Sequence, residues 1–325
     1  MISRETIQKN LKNCLDDTSF LGLPGRKVGK VRDTYDLGDK VMLITTDRQS
    51  AFDRVLANIP FKGGVLNKVS AFWFEHTTDI VKNQVIAVPD PNVTIAKKCK
   101  VFPIEFVMRG YLTGSTDTAA WTLYSKGQRD ICGNKLPDGM VKNQKFAQPI
   151  LTPTTKADTH DESISAEEIV ARGIIDEKTW NRLSDIVFRL FDYGTQVAAK
   201  NGLVLVDTKY ELGTDASGEI LLIDEVHTPD SSRYWINATY EERFNRNEEP
   251  ENIDKEFLRL WFRDHCDPYK DKVLPPAPDD LVIELSSRYM KLYEMITGLK
   301  FEVEENVPIK ERMMRNLKKA GIIKG

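Results

Sequence analysis

The sequence is poor in the residues on which several kinds of chemistry depend. Only four of its 325 residues are cysteine: Cys14, Cys99, Cys132 and Cys266. None stands at metal-ligand spacing from another, and nothing suggests a disulfide framework. Four histidines leave little material for zinc, and no Ser-His-Asp or Cys-His constellation is in view. No run of about 18 apolar residues occurs, so no membrane span is expected. The opening stretch MISRETIQKNLKNCL is polar and lacks a hydrophobic signal core. A reducing cytoplasm is the expected compartment. Positive charge is not in excess: Lys and Arg number 46 against 49 Asp and Glu, a formal net charge of −3. A nucleic-acid-binding surface would need the opposite balance. A local basic pocket for phosphorylated small molecules stays allowed. Neither the G-x-x-x-x-G-K-[ST] spacing nor a dinucleotide fingerprint is present. There is no internal repeat.

What is present is an ordinary soluble balance, 41% hydrophobic and 29% charged, on a chain too long for one simple core. Ser3 caps a short helix over 3–15. From Lys27 to Asp47 the pattern turns strand-like, with LGDK as a turn, and QVIAV and IEFVM read as further strands. A helical segment follows in TDTAAWTLYSKG. No regular element fits QPILTPTTKADTHDE, and a long irregular stretch rich in hydroxyls points to function. Ser165 and Glu168 form a capping box. Trp180, Leu183, Val187, Leu190, Gly194 and Val197 make one helical face, closed by Gly202. LVLVDTKYEL and EILLIDEV predict a hairpin, and the remainder is mostly helical.

The hairpin carries the strongest signal. Alternation along a strand points Asp207, Lys209 and Glu211 one way. With Ser217-Gly218 as a two-residue turn, Glu211 stands opposite Asp224, and Glu225 follows. Two carboxylates beside a lysine suit Mg²⁺, which takes one or two of them plus phosphates and water. A hairpin with one solvated, charged face is the competing explanation, and a register slip of one residue would part the carboxylates. In HTPDSSRYW, Asp230, Ser231, Ser232 and Arg233 suit the sugar and phosphate of a ribonucleotide. Lys30 and Arg32, in GKVRD, could lie over ATP phosphates, though an exposed basic strand is the commoner source of such a pair. Arg109 and Ser115 flank a glycine loop that would let a phosphorylated substrate approach the backbone. Thr152, Thr154, Thr155 and Lys156 form a donor-rich loop in which His160 is the weaker candidate.

GKVRDTYDL, AFDRVLANIPFKGGVLN, EFVMRGYLTGS, TPTTKADTHD, LVDTKYELG and DEVHTPDSSRYW, in that order, together resemble the SAICAR synthetase (phosphoribosylaminoimidazole-succinocarboxamide synthase) family over about residues 20–295. The resemblance implies an α+β fold: a β-rich N-terminal ATP-binding lobe over 1–110 and a larger α+β substrate- and metal-binding lobe over 111–325. It implies a cleft like that of kinases and ATP-grasp proteins. It implies ATP-dependent joining of L-aspartate to carboxyaminoimidazole ribonucleotide, with Mg²⁺. Charge and hydropathy lead to no nucleic-acid or membrane partner being expected, and a monomer or small homo-oligomer is the expected state. Under the resemblance, Lys30, Arg32, Glu105 and Lys209 touch ATP, and Lys209, Glu211 and Asp224 form the nucleotide–metal centre. Arg109, Ser115, Thr154, Thr155, Lys156, Asp230, Ser232 and Arg233 bind substrate. A small-molecule kinase, or a nucleotide-binding module without turnover, would use the same charged face.

Overall fold

The computed structural model describes residues 2–52, 54–156, 162–253 and 256–324. The chain divides into two compact units.

The first unit combines residues 1–75, 84–98 and 253–325. Its sheet has five antiparallel strands in the order Arg26–Val28, Arg32–Asp36, Lys40–Thr45, Val93–Lys97, Val85–Asp90. Alternation turns Tyr35, Met42 and Ile44 inward, where they meet Leu15, Val93 and Ile95. The helix Ile309–Lys319 closes this core with Ile309, Met313 and Leu317, which recur every fourth residue on one face. Arg312 of the same helix grips the buried Asp90 with two donors, each at 3.1 Å. The expected boundary at residue 110 differs from this division in two ways. The C-terminal helices join the N-terminal sheet, and the strand from Ile104 belongs to the other unit.

The second unit combines residues 76–83 and 99–252. Its seven-stranded sheet is built on one long strand, Leu203–Thr214, with Ile104–Leu112 beside it and Gln144–Leu151 beyond. Ile220–Ile223, Ser232–Ile236 and Lys100–Val101 pair with the same long strand at other points along its length. The helix Glu177–Lys200 packs on the sheet with the expected face: Trp180, Leu183, Val187, Leu190 and Gly194 are buried. Trp180 stacks on Phe106, ring centroids 5.6 Å apart. Gly194 is needed for contact, since a Cβ there would lie 2.1 Å from the His227 ring. The Ser165–Glu168 capping box forms as expected.

Two local expectations are corrected. The TPTTK stretch is not wholly irregular, because Thr154 and Thr155 form a short strand against Glu105 and Ile104. The hairpin register is also one residue off. Thr214 pairs with Ile220 and Glu211 with Ile223, so Glu211 does not face Asp224 across the ladder. The carboxylate of Asp215 accepts from the amides of Ser217 (2.9 Å) and Glu219 (3.2 Å), and Gly218 takes φ +83°. This makes a three-residue loop with a left-handed glycine instead of a two-residue turn.

Candidate active site

Residues directly opposite in an antiparallel pair share a face of the sheet. Asp207 stands opposite both Arg109 and Arg233, and Lys209 stands opposite Val107. Alternation then brings Glu211 and Glu105 to that face as well, and Thr154 joins them opposite Glu105. One polar strip therefore runs along the long strand with a different charge pattern at each end.

At one end Lys209 Nζ lies 3.0 Å from Glu105 Oε1, 2.6 Å from Glu211 Oε1 and 3.7 Å from Asp224 Oδ2. Lys156 binds the other oxygen of Glu211. Asp224 arrives by a different route from the one expected. It follows the last paired residue of its strand and adopts φ +64°, and this left-handed step brings the carboxylate to the lysine despite the shifted register. Burial opposes the Lys209 ammonium, but Asp224, Glu211 and Glu105 outweigh it and hold its pKa above the ordinary value. At the other end Arg233 Nη1 lies 3.6 Å from Asp207 Oδ2, and Arg109 Nε donates to Thr152 Oγ1 at 2.8 Å. Burial pulls the Arg109 pKa down; Asp207 opposes that pull and Arg233 adds to it. A desolvated guanidinium beside a second one is a setting in which a bound anion gains much.

Glu105, Arg109, Thr154, Asp207, Lys209, Glu211 and Arg233, drawn from four of the six motifs, thus share one face, and a family comparison agrees. The model of the SAICAR synthetase family matches residues 26–276. This chain belongs to the SAICAR synthetase family. A phosphoribosylaminoimidazole-succinocarboxamide synthase of Legionella pneumophila is 60% identical over 307 residues, 94% of this chain and 97% of that one. The chloroplastic enzyme of the same name from Arabidopsis thaliana is 57% identical over 320 residues, 97% of this chain and 78% of that one. Among solved structures, the SAICAR synthase of Saccharomyces cerevisiae complexed with SAICAR superimposes with a TM-score of 0.75 at 32% identity. That match covers 86% of this chain and 97% of the yeast chain. The α+β architecture with several sheets is the fold of this family.

For a SAICAR synthetase the remaining candidates fall into place unevenly. Ser115 is exposed in the loop after the strand Ile104–Leu112. Gly114 takes φ +104° there, and a Cβ at Gly114 would sit 3.6 Å from Arg233 Nη1, so this loop lies against the guanidinium. Asp230 is half-buried in a loop wound around the Thr228 hydroxyl, which accepts from the amides of Asp230 and Ser231. Ser232 departs from expectation. It stands opposite Thr208 on the buried side of the sheet and shares a 2.7 Å hydrogen bond with that hydroxyl, so its side chain does not join Arg109 and Arg233. Thr155, opposite the buried Ile104, is likewise turned from the strip, and its hydroxyl accepts from the Glu162 amide. His160 lies outside the described residues. Lys30 and Arg32 belong to the first unit, at a tight turn and the strand start after it, and not side by side on one strand. Asp207, given no role from sequence, stands between the two arginines; its place two residues before Lys209 was the available signal.

Mg²⁺ remains an expectation to be tested on the donor set. Among the described residues, no group of three or more His, Cys, Asp or Glu side chains could hold a metal ion. Glu211 and Asp224 nonetheless approach the same ammonium, at 2.6 and 3.7 Å. Two hard oxygen donors fit a cation that keeps phosphate oxygens and waters for its other positions.

Proposed function

We propose that the polar strip of the second unit is the active face of an ATP-dependent carbon–nitrogen ligase of purine biosynthesis. The reaction joins L-aspartate to 5-amino-1-(5-phosphoribosyl)imidazole-4-carboxylate and yields SAICAR, ADP and phosphate. Family membership supports the reaction, and the yeast relative bound to SAICAR supports the ligand class. The observation that carries the placement is Lys209, held among Glu105, Glu211 and Asp224 on the face that also bears Arg109 and Arg233.

The chemistry follows from a carboxylate being a poor acyl acceptor. ATP first phosphorylates the imidazole carboxylate, with ADP leaving, which gives an acyl phosphate. The amine of aspartate then attacks the acyl carbon, a C–N bond forms, phosphate departs with the C–O electron pair, and the nitrogen loses a proton. Such a sequence needs no protein nucleophile, and asks the protein for positioning and charge neutralisation. Lys209 and Lys156 supply positive charge for the transferring phosphoryl group. Arg109 and Arg233, beside Ser115 and Asp230, anchor the ribonucleotide. Glu211 and Asp224 would hold Mg²⁺, whose chemistry is to offset phosphate charge. For Lys30 and Arg32 the proposed contact with ATP phosphates rests on their motif alone. A small-molecule kinase is not favoured, because the comparisons point to synthases. Localisation in the cytoplasm and a monomeric or small oligomeric state belong to the proposal too; among the described residues no helix is long and apolar enough to cross a membrane.

The test is ADP and phosphate release from MgATP with the two other substrates added singly and together. Equal release of both products, only when both substrates are present, is the expected result. ADP without free phosphate would mean a kinase, and no ADP a binding module.

A further inference from the structure

Lys30 sits exposed on a turn that something must hold in shape. Gly29 N–H donates to Arg32 C=O at 2.9 Å, which leaves Lys30 and Val31 as the two residues of the loop. Gly29 tolerates no side chain, since a Cβ would lie 2.5 Å from the Arg32 oxygen. The favoured two-residue hairpin turns need positive φ at the first loop residue, and neither Lys30 nor Val31 has it, so this turn is not of a type that suits the strand twist unaided. A mobile lysine is a poor phosphate ligand, because binding must then order it.

The chain beneath this turn removes that freedom. Arg48 is 7% exposed and opens the strand Arg48–Ala51. Its Nη2 donates to Gly29 C=O at 2.9 Å and its Nε to Lys30 C=O at 3.2 Å. Nη1 reaches Asp16 C=O at 2.6 Å, and Nη2 pairs with Asp33 Oδ1 at 2.5 Å, where Asp33 is fully buried. The neighbouring Thr46 takes the third carbonyl of the turn, that of Val31, with its amide at 2.9 Å and its hydroxyl at 2.5 Å. Three successive turn carbonyls are thus bound by two residues of one short segment. Arg48 is itself fixed from behind, where the fully buried Lys62 donates to its carbonyl at 3.0 Å.

A core that needed only to neutralise Asp33 already has Arg26, whose Nη2 lies 2.9 Å from the other oxygen. The additional fork of Arg48 is spent on the backbone of the turn. We infer that Arg48 is a positioning residue for ATP: it holds the Gly29–Val31 backbone so that Lys30 and Arg32 present their charges to the nucleotide phosphates. The inference rests on the assignment of Lys30 and Arg32 to ATP and adds the residue that fixes their geometry. Lysine cannot replace it, because one ammonium cannot reproduce a planar fork that serves four acceptors.

The experiment compares Arg48→Lys, Thr46→Val and Lys30→Ala with wild type in the full three-substrate assay, alongside thermal unfolding. Arg48→Lys is expected to raise KM for ATP by about tenfold or more while KM for aspartate and the ribonucleotide stays within about twofold. Thr46→Val, which keeps its volume and its amide, should move the same constant in the same direction, and it carries the test should Arg48→Lys not fold. If Lys30→Ala raises KM for ATP and neither brace variant does, the inference fails and the Lys30 assignment stands. Equal rises in all three KM values in Arg48→Lys and Thr46→Val would mean a purely structural role, which also overturns it. No change in Lys30→Ala would remove the Lys30 assignment itself, and the inference with it.

Discussion

Glu211 is held by two lysines at once, Lys209 on one oxygen and Lys156 on the other, with its side chain 9% exposed. Glu211→Gln leaves two ammoniums around a neutral amide. Both lysines are about one-third exposed and can turn toward water, so the fold should survive with a loss of about 1–3 kcal/mol. Turnover in Glu211→Gln or Asp224→Asn should be abolished, as read by ADP release, and wild-type rates in either would refute the metal assignment. A second residue reports on pH. Asp47 is fully buried, and burial raises its carboxyl from 3.8 to about 6, against the amides of Leu15 and Gly63 that bind the carboxylate. The folded protein therefore binds this proton more tightly than the unfolded chain does. The resulting stability is complete below pH 3.8 and is lost as pH rises through about 6. Asp47→Asn has no such loss, so the stability of wild type relative to the variant should fall between those values in urea unfolding. A flat difference would mean that Asp47 is ionised throughout.

Elements were legible where their signal is local. The Ser165–Glu168 capping box occupies four consecutive residues, and the apolar face of Glu177–Lys200 repeats with the helical period, so each was open to inspection. The alternation that unites Asp207, Lys209 and Glu211 is equally local. The hairpin register was not, because it depends on loop length, and the Asp215 carboxylate recruits the amides that lengthen the loop by one residue. The left-handed step at Asp224 leaves no composition signal either, yet it returns that carboxylate to Lys209. The direction in which Ser232 faces is hidden for a related reason. A polar residue in a hydroxyl-rich motif is not distinguishable, in sequence, from one that bonds a buried Thr208. At this scale the packing of the long helix makes a sharp prediction. Gly194→Ala would drive a methyl into the His227 ring, which starts the substrate-binding motif from a fully buried position. We expect a destabilisation of about 1–3 kcal/mol in thermal or denaturant unfolding. A value near zero would show that His227 can retreat.

Across the whole chain, the family was legible but the division into units was not. Strand and helix patterns identify elements without saying which distant segment completes which core. Ile309, Met313 and Leu317 mark an amphipathic helix in sequence; only the fold shows them beside Tyr35, Met42 and Ile44. Removal of residues 301–325 should therefore unfold the first unit, by exposing that core and by leaving Asp90 without Arg312. Loss of its cooperative transition, with the second unit still resistant to limited proteolysis, is the expected outcome. Survival of both transitions would contradict the shared core. The same arrangement sets an order on biosynthesis. The ribosome emits the sheet of the first unit before its closing helix, with the almost contiguous second unit in between. The earlier-made strands must wait, unclosed, until the Ile309–Lys319 helix has been made, while the segment made between them can fold ahead of them.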